Sequence, residues 1–328
     1  MSAMKTQSAM KTQSAMKTKL LLAATLLLLP LPALAQDFQQ RWNSKVSEFR
    51  RQNARLDADT QHIVLFGSSS MEGWRYSKRI EKYLGPLQPR ILNRGISGDG
   101  IGIKRTTGLY NRMDESVVGA RPSHVFILNG RNSMGYGPAR VAARYREVVR
   151  SLRRALPDTV VCVITCSPVR GSYAHMKDKI VDFNERLKTM AKEEGAWLID
   201  LHPHLTDDRG LLKSDWTGDG LHFRNAGYEI LGRAIQRVVR QSEEQARERA
   251  EAAAQAKAEA ERRAQAEAAR RAQAEAQRRA LEQAKSAESS SECPSTQTPS
   301  TQPPSTQAQP RRKGLIRRLL DRLRRNKK

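Results

Sequence analysis

The chain has 328 residues, with 58 Lys plus Arg against 34 Asp plus Glu, a formal charge of +24, and only 38% hydrophobic and 5% aromatic residues. That length allows one or two ordinary domains, but the apolar share is too low for an entirely packed chain or for a multi-span membrane protein. The sign of the charge excludes an acidic solvating chain, and its distribution is uneven: +4 over residues 1–35, +12 over 36–240, zero over 241–288, −1 over 289–310 and +9 over 311–328.

Residues 2–19 carry a six-residue unit three times, and the lysines of this stretch precede an aliphatic run from Leu20 to Leu29 that ends in Pro30 and Pro32. Ala33-Leu34-Ala35 then supplies the small residues a signal peptidase reads. An uncleaved anchor is the alternative, but Leu20 to Ala35 falls short of the ~20 residues that span a bilayer. Residues 1–35 are therefore expected to be a signal peptide cleaved after Ala35, with Met4, Met10 or Met16 each able to serve as the start, and the product periplasmic or extracellular. Export permits disulfides, yet Cys162 and Cys166 lie on one expected strand, roughly 13 Å apart, where a bridge needs Cα atoms within about 7 Å. Both are expected to be small core residues, and Cys293 stands alone.

Asp37 can cap a helix whose apolar residues Phe38, Trp42, Val46 and Phe49 recur at helical spacing. From His62 the pattern alternates short aliphatic runs with amphipathic stretches. The expected strands are Ile63–Phe66, Ile91–Asn93, His124–Leu128, Val160–Thr165 and Trp197–Leu201, with helices at 74–84, 99–115, 138–155, 177–193 and about 225–240. Such alternation predicts an α/β fold with a parallel sheet covered on both faces, and chemistry gathered at the carboxyl ends of its strands. At Gln241 the composition changes. Residues 241–288 are rich in Ala, Glu, Gln and Arg, with Arg-Arg pairs at 262–263, 270–271 and 278–279. Helix propensity is high there, but no stripe of large apolar residues exists to bury in a tight coiled coil, so a solvated rod is expected. Residues 289–310, built from Ser, Pro, Thr and Gln, read as a disordered linker. The tail 311–328 places Leu315, Ile316, Leu319, Leu320 and Leu323 on one helical face amid arginines, a pattern suited to an anionic membrane or envelope surface. Export and the leucine stripe argue against nucleic acid as its partner.

Four loops carry the residues of interest. Strand one ends in Gly67-Ser68-Ser69-Ser70, a tight turn able to present one hydroxyl at the sheet edge. Asp219-Gly220-Leu221-His222 precedes the last helix, and an Asp three residues before a His can accept the Nδ1 proton and leave Nε2 free to take one from a serine. Asn93-Arg94-Gly95-Ile96-Ser97-Gly98-Asp99 follows strand two and Asn129-Gly130-Arg131-Asn132-Ser133 follows strand three. A glycine amide with an asparagine side chain would supply the donors a tetrahedral oxyanion needs. Taken singly, each loop serves equally well as an ordinary turn or cap.

Together, in this order, the four segments resemble the blocks of the SGNH (GDSL-like) esterases and acylhydrolases over roughly residues 60–240. The resemblance implies a three-layer flavodoxin-like fold with a five-stranded parallel sheet, and an SGNH hydrolase-type esterase domain over 36–240. It also implies Ser69 as nucleophile, His222 and Asp219 as its triad partners, and the Ser69 amide, Gly98 and Asn132 as the oxyanion hole. Two positions depart from the family pattern: Ser68 stands in place of the usual Asp, and Ser133 in place of the Asp after the third-block Asn. No metal or organic cofactor is called for. The expected substrate is a small carboxylic ester, with acetylated glycans and lysophospholipids equally open, and Arg94 and Arg131 beside the oxyanion donors would suit an anionic one. The alternative is a catalytically weak envelope- or membrane-binding module acting through the basic tail.

Overall fold

The structure, a computed structural model, describes residues 31–289. The part of the expected signal peptide before Leu31, the expected linker from residue 290, Cys293 and the basic tail 311–328 lie outside the described residues.

Five strands, β1 (Ile63–Gly67), β2 (Ile91–Gly95), β3 (His124–Leu128), β4 (Val160–Ile164) and β5 (Trp197–Ile199), form one sheet in the order β2-β1-β3-β4-β5. Every pairing is parallel. Because side chains alternate across a strand, the continuous apolar runs of β1, β3 and β4 feed two separate cores. Val64, Phe66, Val125, Ile127, Val161 and Val163 face one layer with the Pro138–Ala155 and Lys177–Glu193 helices. Ile63, Leu65, Phe126, Leu128, Cys162 and Ile164 face the other, where Leu84 of the Arg79–Leu84 helix and Leu231 and Ile235 of the final helix pack. Near-uniform burial is what a parallel sheet covered on both faces requires, and this is the three-layer flavodoxin-like arrangement. Cys162 and Cys166 are free and buried, and burial pushes both thiols up.

Several expected elements change. The first helix runs Leu31–Asn53, so Asp37 lies inside it and caps nothing; its Trp42, Val46 and Phe49 cluster with Ile96 as an apolar stripe should. The expected 74–84 helix is split into a turn at Gly73–Arg75 and a helix at Arg79–Leu84, because Ser77 and Lys78 both take positive φ, 54° and 49°. The expected 99–115 helix is mostly loop, with short turns only at Leu109–Arg112 and Met113–Ser116. Here Gly108 at φ 129° folds back so closely that a Cβ would sit 2.3 Å from the Gly102 amide nitrogen, and two backbone bonds, Leu109 to Gly100 and Tyr110 to Ile101, replace helical ones.

The last helix runs Asn225–Ser289 without interruption at Gln241, so the change of composition is not a break in secondary structure. The described residues up to Ala252 belong to one compact unit and those from Ala253 to another. Up to Ser242 the helix alternates buried and exposed positions; from Glu243 to Ala287 every residue is exposed. No described helix is long and apolar enough to cross a membrane.

Candidate active site

The strand order reverses between β1 and β3, and the loops that leave the carboxyl ends of β1, β2 and β3 meet at that point, where open α/β sheets bind ligands. Gly67, the last residue of β1, allows the chain to turn at once: a Cβ there would lie 2.2 Å from the Leu128 carbonyl oxygen and 2.6 Å from Met71 Cγ. The Ser68 carbonyl then accepts from the Met71 and Glu72 amides at 3.0 and 2.9 Å, starting the short Ser69–Glu72 helix. Ser69 is thereby held on its first residue, only partly buried, at the cavity wall.

His222 reaches this serine from the far end of the domain. Its Nε2 lies 2.8 Å from Ser69 Oγ and its Nδ1 2.7 Å from Asp219 Oδ2. The other Asp219 oxygen accepts from the His222 and Leu221 amides at 2.8 and 2.9 Å, so the carboxylate closes its own turn while it orients the ring. Partial desolvation pushes the Asp219 carboxyl up, but the bonds from the His222 amide, the His222 ring and the Leu221 amide together outweigh it and hold the group well below the usual carboxylate range. The loop is tied from behind by Arg131, whose Nη1 donates to Leu221 O at 3.0 Å and Ser167 Oγ at 2.8 Å. Tyr228 Oη donates to Ser70 O at 2.9 Å and joins the last helix to the serine turn.

The remaining predicted positions gather around Ser69. Gly98 and Asn132 line the same cavity of about 580 Å³ as Ser69, Asp219 and His222. Among the described residues the Ser69 and Gly98 amides donate to no other group. Asn132 Nδ2 donates one hydrogen to the Asp99 carbonyl at 2.9 Å, which orients the amide and leaves its second hydrogen for the cavity. The two departures from the family pattern differ in consequence. The Ser68 side chain makes no bond to the turn it precedes, whereas Ser133 Oγ accepts from the Ile101 amide at 3.0 Å and so fastens the β3 loop to the β2 loop.

What holds the β2 loop was not legible. Asp99 and Arg112 form a fully buried ion pair at 2.7 Å. Trp42 Nε1 donates to the other Asp99 oxygen at 3.2 Å, and Arg112 also donates to the carbonyls of Gly67 and Arg94, each at 2.8 Å. One guanidinium thus joins the ends of β1 and β2 to the residue beside Gly98. Burial raises the Asp99 carboxyl above its ordinary value even against the Arg112 charge, and lowers Arg112. Glu72 adds a second tie by accepting from the Ser97 amide at 2.7 Å.

Arg94 and Arg131 do not face the cavity as the sequence suggested. Arg94 points away over the Phe49 ring, 4.7 Å from its centroid, and donates to Asn53 at 2.8 Å; Arg131 is half-buried behind the His222 loop. The cations that do line the cavity are Arg79 and Arg224, with Tyr76, Phe223 and Tyr228. Neither was singled out from the sequence, although Arg224 stands only two residues after His222.

The sequence profile of the GDSL-like Lipase/Acylhydrolase family matches residues 65–230. Among solved structures, a Streptococcus pneumonia protein described as a platelet activating factor superposes with a TM-score of 0.55 at 22% identity, covering 63% of this chain and 97% of its own. A GDSL-like lipase from Bacteroides thetaiotaomicron gives 0.51 at 20% identity, over 60% of this chain and 98% of its own. Likeness at these identities concerns the fold alone. No curated protein matches the chain.

Proposed function

Since the chain belongs to the GDSL-like lipase/acylhydrolase family, we propose that it hydrolyses a small carboxylic ester by two-step acyl transfer, with Ser69 as nucleophile, His222 as general base and acid, and Asp219 as the group that orients the imidazole. The observation that carries this reading is the unbroken chain of short contacts from Asp219 Oδ2 through His222 to Ser69 Oγ, at 2.7 and 2.8 Å, opening into the cavity.

In the first step His222 Nε2 takes the Ser69 proton as Oγ bonds to the ester carbonyl carbon. The carbonyl oxygen becomes an oxyanion within reach of the Ser69 and Gly98 amides and the free Asn132 hydrogen, and preorganised donors of this kind cost no rearrangement at the moment charge develops. Collapse breaks the bond to the alkoxy oxygen, which receives the proton from His222 Nε2 and leaves as the alcohol. Water then repeats the sequence on the acyl-serine and restores Ser69. The ionised Asp219 favours the imidazolium form that exists between the two proton transfers.

Export is part of the proposal and rests on the sequence of residues 1–35; amino-terminal sequencing of the mature protein checks it, with Gln36 expected first. For the chemistry, Ser69→Ala and His222→Ala are compared with wild type on a short-chain aryl acetate, beside labelling by a fluorophosphonate. Both variants are expected to lose turnover by about 10³-fold or more, the loss typical of removing one member of such a triad, and Ser69→Ala is expected to resist the label. Undiminished turnover in either variant would sink the assignment.

A further inference from the structure

Arg224 and Arg79 give the cavity two positive charges that, among the described residues, are paired with no carboxylate. Arg224 is exposed on the cavity wall, and among the described residues its guanidinium has neither an ion-pair nor a hydrogen-bond partner. Its Nη2 stands over Gly218, where a Cβ would come within 2.7 Å of it. Arg79 lies over the Tyr228 ring, 4.0 Å from the centroid, and among the described residues it donates to neutral oxygens, Gly73 O at 2.6 Å and Asn225 Oδ1 at 3.0 Å. The successive positive φ angles of Ser77 and Lys78 precede it directly, a conformation with a steric cost for non-glycine residues that tends to persist where the position of the following chain matters. Among the described residues, Asp219 is the one carboxylate lining the cavity, and it is engaged with His222. Arg75, Arg112 and Arg170 are matched by Glu72, Asp99 and Asp207, while Arg131, which does not line the cavity, donates to the neutral oxygens of Ser167 and Leu221.

Their position says which part of a substrate they would meet. His222 must deliver its proton to the leaving oxygen, so the alcohol portion of the ester lies on the His222 side of Ser69. Arg224 follows His222 by two residues on the same loop, and Arg79 is bonded to Asn225, the next residue. A guanidinium presents several donors in one plane, matched to the oxygens of phosphate or carboxylate. We propose that the site takes esters whose leaving alcohol carries an anionic group, phosphate or carboxylate, held by Arg224 with Arg79 beside it. The inference deepens the ester-hydrolase reading and rests on it for the direction of the substrate.

The test measures binding apart from hydrolysis. Full-length Ser69→Ala protein is titrated calorimetrically with 4-acetoxybenzoate, with its neutral methyl ester, and with 4-acetoxyphenyl phosphate. At low salt the anions are expected to bind about three- to tenfold more tightly than the methyl ester, the range for a partly exposed charge-assisted contact, with the gap closing as NaCl is raised. A larger gap for the phosphate ester assigns the subsite to phosphate, and equal gaps assign it to anions in general. The preference is expected to vanish when Arg224→Gln is added and to survive in part with Arg224→Lys. Equal affinity for anion and methyl ester, undetectable binding of both anions, or a preference that persists with Arg224→Gln would overturn the inference. Wild-type protein that binds the anions but hydrolyses none of the three esters would instead overturn the ester-hydrolase reading.

Discussion

Asn132 shows how one side chain can serve structure and chemistry together. Its Nδ2 gives one hydrogen to the Asp99 carbonyl at 2.9 Å, and that bond fixes the direction of the other. If the second hydrogen meets the oxyanion, Asn132→Ala removes one donor from the transition state and little from the folded protein. The expected result is a kcat about 10²- to 10³-fold lower with KM nearly unchanged, as for removal of an oxyanion donor elsewhere; a change confined to KM would remove Asn132 from that role. Ser69, Gly98, Asn132, Asp219 and His222 could all be singled out from the sequence because each sits in a short segment whose neighbours announce it. Arg79 could not, because what makes it notable is Tyr228 and Asn225, about 150 positions away, brought against it by the packing of the last helix.

At the scale of elements, the strands were readable because burial on both faces demands aliphatic runs that few other structures need. The segment from 99 to 115 departs from the expected helix for a physical reason: its apolar residues Ile101, Ile103 and Leu109 are buried, but Gly102 and Gly108 at φ 95° and 129° and the Asp99–Arg112 pair make a compact loop instead. A second buried polar contact joins β3 to the last helix. His124 Nδ1 lies 2.8 Å from Ser123 Oγ and Nε2 2.8 Å from Ser242 Oγ. Burial, with the nearby Arg90 charge and against that of Glu243, pushes the imidazole down to about 4 from its usual 6.5. The unfolded chain therefore takes up this proton first, so the contribution is fully present above pH about 6.5 and is lost as the pH falls toward 4. His202 is lowered in the same direction, so the comparison that isolates His124 is wild type against His124→Gln. The melting temperature of the wild type is expected to fall more steeply between pH 6.5 and 4 than that of the variant; parallel curves would show that His124 does not titrate with unfolding.

Over the whole molecule, the two compact units are built on different physics. In the first, apolar burial on both sheet faces dominates. The described part of the second, Ala253–Ser289, is helix with every characterised side chain exposed, so propensity and local ion pairs must carry it. Its period of eight has a local meaning: Arg263 pairs with Glu259, Arg271 with Glu267 and Arg279 with Glu275, each with the acid four residues before the base. That is the favourable orientation, worth about 0.2–0.5 kcal/mol per pair. A peptide of residues 253–289 is expected to lose ellipticity at 222 nm as NaCl rises from 0.05 to about 1 M, where screening becomes short-ranged, and one with Glu259, Glu267 and Glu275 changed to Gln is expected to be less helical at low salt and nearly indifferent to it. Equal helicity of the two peptides at low salt would remove the ion pairs from the account.

Charge separates what the sequence determined from what waited for the fold. The chain by itself divides +24 into +4 over residues 1–35, a +12 body, a neutral Ala/Glu/Arg segment, −1 over 289–310 and a +9 tail, and its local patterns determine five strands, their parallel sense and the four loops that carry the family's residues. These follow from periodicity and from neighbours only a few residues apart. Which arginines face the cavity was decided only in three dimensions: Arg94 and Arg131, adjacent in sequence to the oxyanion segments, are engaged away from it, while Arg79 and Arg224 line it. The direction of a side chain at a strand end depends on twist, on the next layer and on partners far along the chain, and no local pattern records those.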